Sequence, residues 1–145
     1  MFRHILIPTD GSRLAGKGIR LGVRLASALG ARVTGVYVMA PTPRAYNEAA
    51  IFYAGVSARD WRKTFEGHAS KALAGIEAEA RKAQVPCAVR IVADARPWQG
   101  ILKAARGCDA IVVASHGRGG LGGLVLGSET QQVLARSRIP VLVCR

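Results

Sequence analysis

The most restrictive feature of this sequence is an alternation between short apolar runs and longer segments of helical periodicity. The runs occupy residues 5–7, 32–38, 87–92, 109–114 and 140–144. Between them, apolar residues recur at intervals of three and four, as in a first predicted helix over residues 14–29. Because parallel strands are joined by right-handed helical crossovers, this order predicts an α/β fold, a doubly wound five-stranded parallel sheet with helices on both faces.

Local signals place the ends of the predicted helices. Gly30 stands where a left-handed C-cap ends the first helix. Ser57, with Asp60 three residues later, resembles a capping box that opens the second. Pro97 suits the first turn of the third helix. Ser128 can cap the fourth, over residues 128–136, in an S-x-x-Q pattern. The apolar stripe of the second helix is predicted to pack into the core and comprises Trp61, Phe65, Ala69, Leu73, Ile76 and Ala80.

Two of the predicted strands differ in how they tolerate charge. The run 109–114 is apolar on both faces, which is typical of a central strand in a parallel sheet. The run 87–92 contains Arg90, whose burial on either face would be costly. That run is therefore predicted to lie at a sheet edge. Residues 41–55 carry two prolines and no clear period, and are expected to form a long loop.

Composition bounds the class of protein. The 145 residues suit one domain, 1–145, and half of them are apolar, which excludes a disordered chain. No apolar run approaches the roughly 18 residues of a spanning helix, so the sequence does not indicate a membrane protein. Three cysteines without a CxxC pair indicate neither a disulfide framework nor a zinc site, and a reducing, cytoplasmic setting is expected.

The net charge of +12 is unusual for this length. It favours an anionic partner: a nucleotide, a nucleic acid, a phosphate group or a membrane surface. The basic residues are scattered and form no block of five or six, so a basic tail is not expected. A solvated basic surface without a ligand stays equally open at this point.

Ligands of doubly wound sheets bind at the carboxyl ends of the strands, where two loops stand out. The first carries Asp10, which could accept hydrogen bonds from a ligand's hydroxyl groups or simply cap the first helix, a role Ser12 could also fill. The second, residues 115–127, is rich in glycine and leads into a helix whose free amides favour an anion. Arg118 and Arg136 can add positive charge there. A flexible turn before an ordinary capped helix is the alternative.

Two familiar phosphate-binding patterns do not account for this loop. Gly117, Gly119 and Gly122 match the dinucleotide fingerprint, but they follow the fourth strand and no carboxylate lies about 20 residues further on. A Walker A loop needs Gly-Lys followed by Ser or Thr, whereas the one Gly-Lys pair, Gly16-Lys17, precedes glycine.

The chain resembles the universal stress proteins over nearly its whole length. The resemblance rests on the opening Ile-Leu-Ile-Pro-Thr-Asp-Gly-Ser at 5–12, the ending Ile-Pro-Val-Leu-Val at 139–143, and the glycine loop. ATP-binding members carry G-x-x-G, nine residues, then G-S or G-T. Here Gly117, nine residues, then Gly127-Ser128 match, and Ala114 replaces the first glycine. Alanine adds one methyl group where the backbone would approach the ligand, and the match implies nucleotide binding all the same.

The resemblance implies strand order 3-2-1-4-5 and an ATP or related adenine-nucleotide site, with Mg²⁺ as an optional companion. Asp10 would hold the ribose or adenine, Val38 would meet the adenine, and Arg118 would contact a phosphate. The implied binding residues are Pro8, Thr9, Asp10, Val38, Val113, Ala114, Gly117, Arg118, Gly127, Ser128 and Glu129. It also implies a homodimer formed by pairing of the fifth strand, whose apolar edge needs cover.

Three functions are compatible with these residues. The first is a non-enzymatic, nucleotide-dependent regulator of a stress response that acts on an unidentified protein partner. The second is a slow ATP hydrolase using His116 and Asp10; a Ser115–His116–Asp10 triad is disfavoured because no strand–nucleophile–helix elbow is present. The third is salt-sensitive binding of nucleic acid, disfavoured because no recognition motif accompanies the charge.

Overall fold

The structure is a computed structural model that describes residues 1–39, 55, 57–116 and 126–145; of Ala58 and Trp61 it describes the backbone alone. The predicted loop 41–55 and the core position predicted for Trp61 therefore lie, apart from residue 55, outside what is described. Within the described ranges, no helix combines the length and the apolar character needed to cross a bilayer.

Five strands and four helices alternate along the described chain. The strands are β1 (His4–Pro8), β2 (Arg32–Met39), β3 (Cys87–Ala93), β4 (Ala110–Ala114) and β5 (Val141–Cys144). The helices are α1 (Arg13–Leu29), α2 (Ala58–Lys82), α3 (Pro97–Ala104) and α4 (Ser128–Arg136). All strand pairs are parallel, and the sheet order is β3-β2-β1-β4-β5, which confirms the predicted fold and strand order.

The two strands that were distinguished by charge occupy the predicted places. Every residue of β4 is buried between its neighbours β1 and β5. β3 lies at one edge of the sheet, where Arg90 is exposed and donates from a guanidinium nitrogen to the carbonyl oxygen of Ala104 at 2.7 Å. The guanidinium group thus avoids the cost of burial and stabilises the last carbonyl of α3.

Each face of the sheet has its own core. On one face α1 and α2 cover Ile5, Ile7, Val33 and Tyr37. On the other, α3 and α4 cover Leu6, Val36, Ile111 and Val113. The predicted stripe of α2 is buried at Ala69, Leu73, Ile76 and Ala80, which confirms its core-facing side.

Three of the four predicted helix-end signals act as expected. Gly30 ends α1 with φ of 62°, a conformation that glycine adopts without steric cost. The Ser57 hydroxyl accepts the Asp60 N–H at 3.1 Å, and Pro97 occupies the first turn of α3. The prediction for Ser128 was wrong: Gly127 is the N-cap of α4, and no side chain caps that helix within the described residues. Ser128 is already the first helical residue, so its hydroxyl is not placed to cap the turn.

Candidate functional site

A cavity of about 470 Å³ opens at the carboxyl ends of β1, β2 and β4, and we call it the carboxyl-edge cavity. Its size lies within the range usual for small-molecule sites. Its wall combines the strand ends with the first turn of α4 and with side chains of α2 and α3. The lining residues are Pro8, Thr9, Asp10, Ala15, Val36, Tyr37, Val38, Phe65, Pro97, Ile101, Val113, Ala114, His116, Gly127, Ser128, Glu129 and Thr130.

The loop after β1 is shaped by its own side chains. The Thr9 hydroxyl accepts the Gly11 N–H at 3.1 Å, and the Asp10 carboxylate accepts the Ser12 N–H at 2.9 Å. Gly11 has φ of 78°, which these two consecutive turns require and which a side chain would disfavour. Ser12, rather than Asp10, caps α1 by accepting the Ala15 N–H at 3.1 Å. This division of roles leaves Asp10 half-buried on the cavity wall.

The far side of the cavity is held by contacts between β4 and α4. The Gly127 N–H donates to the Ser115 carbonyl at 2.8 Å, which brings both ends of the glycine-rich loop together. The buried Thr130 hydroxyl donates to the Ala114 carbonyl at 2.9 Å. These two bonds set the start of α4 directly beyond the end of β4. The first turn of α4 therefore faces the cavity.

That first turn has no side-chain cap within the described residues. The first N–H groups of any α-helix have no partner within the helix, and together with the helix dipole they attract an anion. Gly127 and Ser128, which line the cavity, place this electropositive end on its wall. Among the described lining residues none is Lys or Arg, so the positive potential at this part of the wall comes from the N–H dipoles of these neutral amides.

Glu129 has a structural partner of its own. Its Oε2 accepts the backbone N–H of Trp98 at 2.7 Å, in the first turn of α3. The Trp98 ring in turn lies between two guanidinium groups, with Arg96 Cζ 5.5 Å and Arg136 Cζ 4.9 Å from its centroid. Arg136, considered in the sequence as a source of positive charge for the loop, is thus stacked on this ring. Glu129 joins α4 to α3 while lining the cavity between them.

The replacement of glycine by Ala114 is accommodated on the side of α1. An ideal Cβ at Gly18 of α1 would lie 3.4 Å from the Ala114 nitrogen and 3.8 Å from its Cβ. Helix α1 therefore approaches the backbone of Ala114 closely and meets its methyl group. Ala114 also lines the carboxyl-edge cavity.

The remaining wall is apolar. Val38 reaches the cavity from β2 and is backed by Gly100 of α3, where an added Cβ would come within 2.5 Å of Val38 Cγ1. Phe65 of α2 and Ile101 of α3 complete this part. Phe65 is half-buried on the cavity wall, in contrast to the core position that its helical spacing predicted. An apolar slot bounded by an aromatic ring suits a flat, hydrophobic ligand group.

Nine of the eleven predicted binding residues line this one cavity. They are Pro8, Thr9, Asp10, Val38, Val113, Ala114, Gly127, Ser128 and Glu129. Gly117 and Arg118 fall in the segment 117–125, outside the described residues. The cavity is also lined by residues that no sequence motif indicated: Ala15, Val36, Tyr37, Phe65, Pro97, Ile101 and Thr130. The alternation of strand residues could have indicated Val36, whereas Phe65, Pro97 and Ile101 arrive by helix packing.

Two residues of the disfavoured triad, Ser115 and His116, are neighbours in the chain. Ser115 Oγ lies 2.9 Å from His116 Nδ1, and Ser115 is only 2% exposed. Ser115 is not among the described residues that line the carboxyl-edge cavity, whereas His116 is. Among the described residues, the buried His116 Nε2 has no hydrogen-bond partner. In the described ranges, no group of three or more His, Cys, Asp or Glu residues is placed to hold a metal ion.

Comparison with known proteins places the chain in a family. The universal stress protein family model matches residues 1–145. A universal stress protein of Thermus aquaticus, from the 3′ region of its QAH/OAS sulfhydrylase gene, is 33% identical over 147 residues, with each chain covered fully.

Two solved structures share the fold and were determined with nucleotides. One, a universal stress protein in complex with cAMP, has a TM-score of 0.68 at 21% identity and covers 99% of this chain and 97% of its own. The other, from Archaeoglobus fulgidus in complex with dAMP, has a TM-score of 0.69 at 17% identity and covers 100% and 98%. From the full-length match and the shared strand order, we conclude that this chain belongs to the universal stress protein family.

Proposed function

We propose that the carboxyl-edge cavity binds an adenine nucleotide, with ATP as the expected form, and that the bound nucleotide regulates interaction with a protein partner. The observation that carries this proposal is the pairing of an uncapped helix N-terminus with an apolar slot in one cavity. A nucleotide has the same two parts, an anionic tail and a flat purine. Relatives of the same fold bind cAMP and dAMP.

The phosphate end is assigned to the first turn of α4. Backbone N–H groups there can donate to phosphate oxygens, and glycine at position 127 leaves room for close approach. Gly117 and Arg118 are proposed to complete the phosphate site, and Mg²⁺ could accompany a triphosphate. The Glu129 carboxylate accepts the Trp98 N–H at 2.7 Å, and this hydrogen bond weakens the repulsion between the carboxylate and the phosphates.

The purine end is assigned to the apolar slot. Val38 and Phe65 offer surfaces against which a ring can pack, and Asp10 stands between the slot and β4 as an acceptor for ribose hydroxyls or adenine. Pro8, Thr9, Val113 and Ala114 border the ribose in this orientation. A buried apolar surface contributes about 25 cal/mol per Å², so the purine supplies much of the affinity.

Regulation rather than catalysis fits the chemistry of the described wall. Hydrolysis of ATP needs a positioned water, a base and electrostatic relief of the transferred group. Ser115 is buried and bonded to His116, and no lysine or arginine among the described residues lines the cavity. A purified sample incubated with ATP and Mg²⁺ is expected to release phosphate at the background rate. Turnover that disappears in both His116→Ala and Asp10→Ala would make the protein a hydrolase instead.

Pairing of β5 with a second copy is proposed as the dimer contact, in a cytoplasmic setting. β5 is an edge strand, and Leu142 on it is 43% exposed. An apolar edge strand favours pairing with an identical strand. Leu142→Lys is expected to yield a monomer in analytical ultracentrifugation, whereas an unchanged dimer would place the contact elsewhere.

Calorimetric titration with ATP and with adenosine tests the nucleotide site. Asp10→Ala should weaken both ligands, because it removes a contact to the nucleoside. Arg118→Ala should weaken ATP more than adenosine, because it removes a phosphate contact. The opposite pattern would reverse the proposed orientation, and the absence of heat with every adenine nucleotide at millimolar excess would reject the site.

Gly127→Arg provides the sharpest single variant. Its bulk would fill the space before α4 and should abolish ATP binding while circular dichroism stays unchanged. Gly67→Arg is the matched control, because position 67 lies in α2 with nothing within 4 Å of an added Cβ. ATP affinity that survives in Gly127→Arg would show that the phosphates bind elsewhere.

A further inference from the structure

A second cavity, of about 590 Å³, opens at the opposite edge of the sheet, and we call it the amino-edge cavity. It lies where β1, β2 and β3 begin, on the face that α3 covers. Its lining residues are His4, Arg32, Val33, Thr34, Pro86, Cys87, Ala88, Val89, Arg90, Arg106 and Gly107. None of them lines the carboxyl-edge cavity, so the two are separate sites.

The charge of this cavity is strongly one-sided. Three arginines, Arg32, Arg90 and Arg106, share its wall, and none of the described residues that line it is acidic. The ion pairs found among the described residues join Lys82 to Glu79 and Lys103 to Asp94, away from all three. Three guanidinium groups around one cavity repel one another, and an anion in their midst would relieve that repulsion.

The contacts of His4 bring the Arg32 guanidinium to this cavity. His4 Nδ1 lies 2.9 Å from the Gly107 carbonyl and 3.2 Å from an Arg32 guanidinium nitrogen, while Nε2 lies 2.7 Å from the Thr34 hydroxyl. In the neutral tautomer with a proton on Nδ1, that nitrogen donates to the Gly107 carbonyl and Nε2 accepts from the Thr34 hydroxyl. With that proton in place, the contact between Nδ1 and Arg32 joins two donors and stabilises neither. In this tautomer the Arg32 guanidinium lies beside the cavity without an acceptor from His4, whereas in the other tautomer Nδ1 would accept from it.

The other charged groups nearby have defined structural roles. Arg90 donates to the Ala104 carbonyl at 2.7 Å and so serves the end of α3. The Asp109 carboxylate accepts the backbone N–H groups of Arg3 and His4 at 2.7 and 2.9 Å. These bonds, that of Arg3 foremost, hold the pKa of Asp109 below its usual range. Arg32 and Arg106 are the two exposed guanidinium groups that remain for a ligand.

We propose that the amino-edge cavity binds a small phosphate-bearing anion, a phosphate ester or a diphosphate, between the guanidinium groups of Arg32 and Arg106. Arginine suits this ligand because its planar fork can donate two parallel hydrogen bonds to phosphate oxygens. The site is independent of the proposed nucleotide site, because the two lie at opposite ends of parallel strands. It gives part of the +12 charge a specific role.

Inorganic pyrophosphate is the probe, and amide NMR of the full chain in low salt is the measurement. Saturable shifts are expected at Thr34, Arg106 and Gly107. Arg32→Gln and Arg106→Gln should each raise the dissociation constant about tenfold, which corresponds to a loss of roughly 1.4 kcal/mol of binding free energy. The same titration at 0.5 M NaCl should weaken binding strongly, because the two guanidinium groups are exposed to solvent.

Arg24→Gln is the matched control, since it removes the same charge from an exposed position of α1 outside both cavities. It should change the dissociation constant less than twofold. If Arg24→Gln and Arg106→Gln weakened pyrophosphate binding equally, the binding would depend on diffuse surface charge alone, and the proposal would be overturned. The absence of saturable shifts at these amides would also overturn it, as would binding of an oligothymidylate through Arg106 without binding of pyrophosphate.

Discussion

The carboxylate of Glu129, in the first turn of α4, accepts the backbone N–H of Trp98, in the first turn of α3, at 2.7 Å. One helix thus caps the other across 31 positions of sequence. The side chain of Arg96, the N-cap residue of α3, makes no capping hydrogen bond. The bond fixes the relative position of the two helices that bound one side of the carboxyl-edge cavity.

Glu129→Ala is therefore expected to destabilise the protein by about 1 kcal/mol, the usual effect of removing an N-cap acceptor. Glu129→Gln should have a smaller effect, because its amide oxygen can still accept the Trp98 N–H. Urea unfolding followed by circular dichroism measures both. Equal midpoints for the wild-type protein and Glu129→Ala would show that this bond contributes nothing to stability.

A second prediction concerns Gly100, in the wall formed by α3. Gly100→Ala would place a Cβ 2.5 Å from Val38 Cγ1, and relieving this overlap should cost about 1–3 kcal/mol. Val38→Ala in the same chain should recover part of that loss, because it removes the colliding methyl groups. Thermal unfolding of the single and double variants measures the coupling.

The control for this experiment is Gly75→Ala, in the middle of α2. Nothing lies within 4 Å of an added Cβ there, so the substitution should stabilise the helix by about 0.5–1 kcal/mol. Additive effects of Gly100→Ala and Val38→Ala would contradict the proposed contact.

Replacing the serines at three helix starts by alanine should change the free energy of unfolding by clearly different amounts. Ser12→Ala and Ser57→Ala each remove a hydroxyl that accepts an N–H at 3.1 Å, and each should cost about 1 kcal/mol. Ser128→Ala should change the free energy of unfolding by less than about 0.5 kcal/mol, because Ser128 does not cap α4. A loss at Ser128 as large as that at Ser12 would restore the capping role that the sequence predicted.

Acid should weaken the connection between β3 and α3. The hydrogen bond from Lys103 Nζ, at 2.6 Å, lowers the pKa of Asp94, and the Arg96 N–H at 3.1 Å acts in the same direction. Because the folded-state pKa lies below the unfolded one, the stabilisation is fully present above pH of about 4 and is lost as pH falls through the folded-state value. Asp94→Asn should lower the melting temperature at pH 7 and make little difference near pH 2. A constant difference across this range would contradict the linkage.

Several features of the site were predictable because they depend on short stretches of chain. The turn that carries Asp10 follows from the Pro-Thr-Asp-Gly-Ser sequence, and Arg90 alone indicated an edge strand. The capping of α4 was predicted wrongly for the opposite reason. Its start is set by bonds from Gly127 to Ser115 and from Thr130 to Ala114, which no pattern within residues 128–131 contains.

The sequence by itself determined the order of strands and helices, the parallel sheet and the two loops at its carboxyl edge. These follow from periodicity and turn residues, which are local properties of the chain. Only the tertiary structure decided that Phe65 and Ile101 reach the carboxyl-edge cavity, that Glu129 caps α3, and that Arg32 and Arg106 share a second cavity. The physical reason is that such contacts depend on how helices pack across the sheet, which brings together side chains that are far apart in sequence.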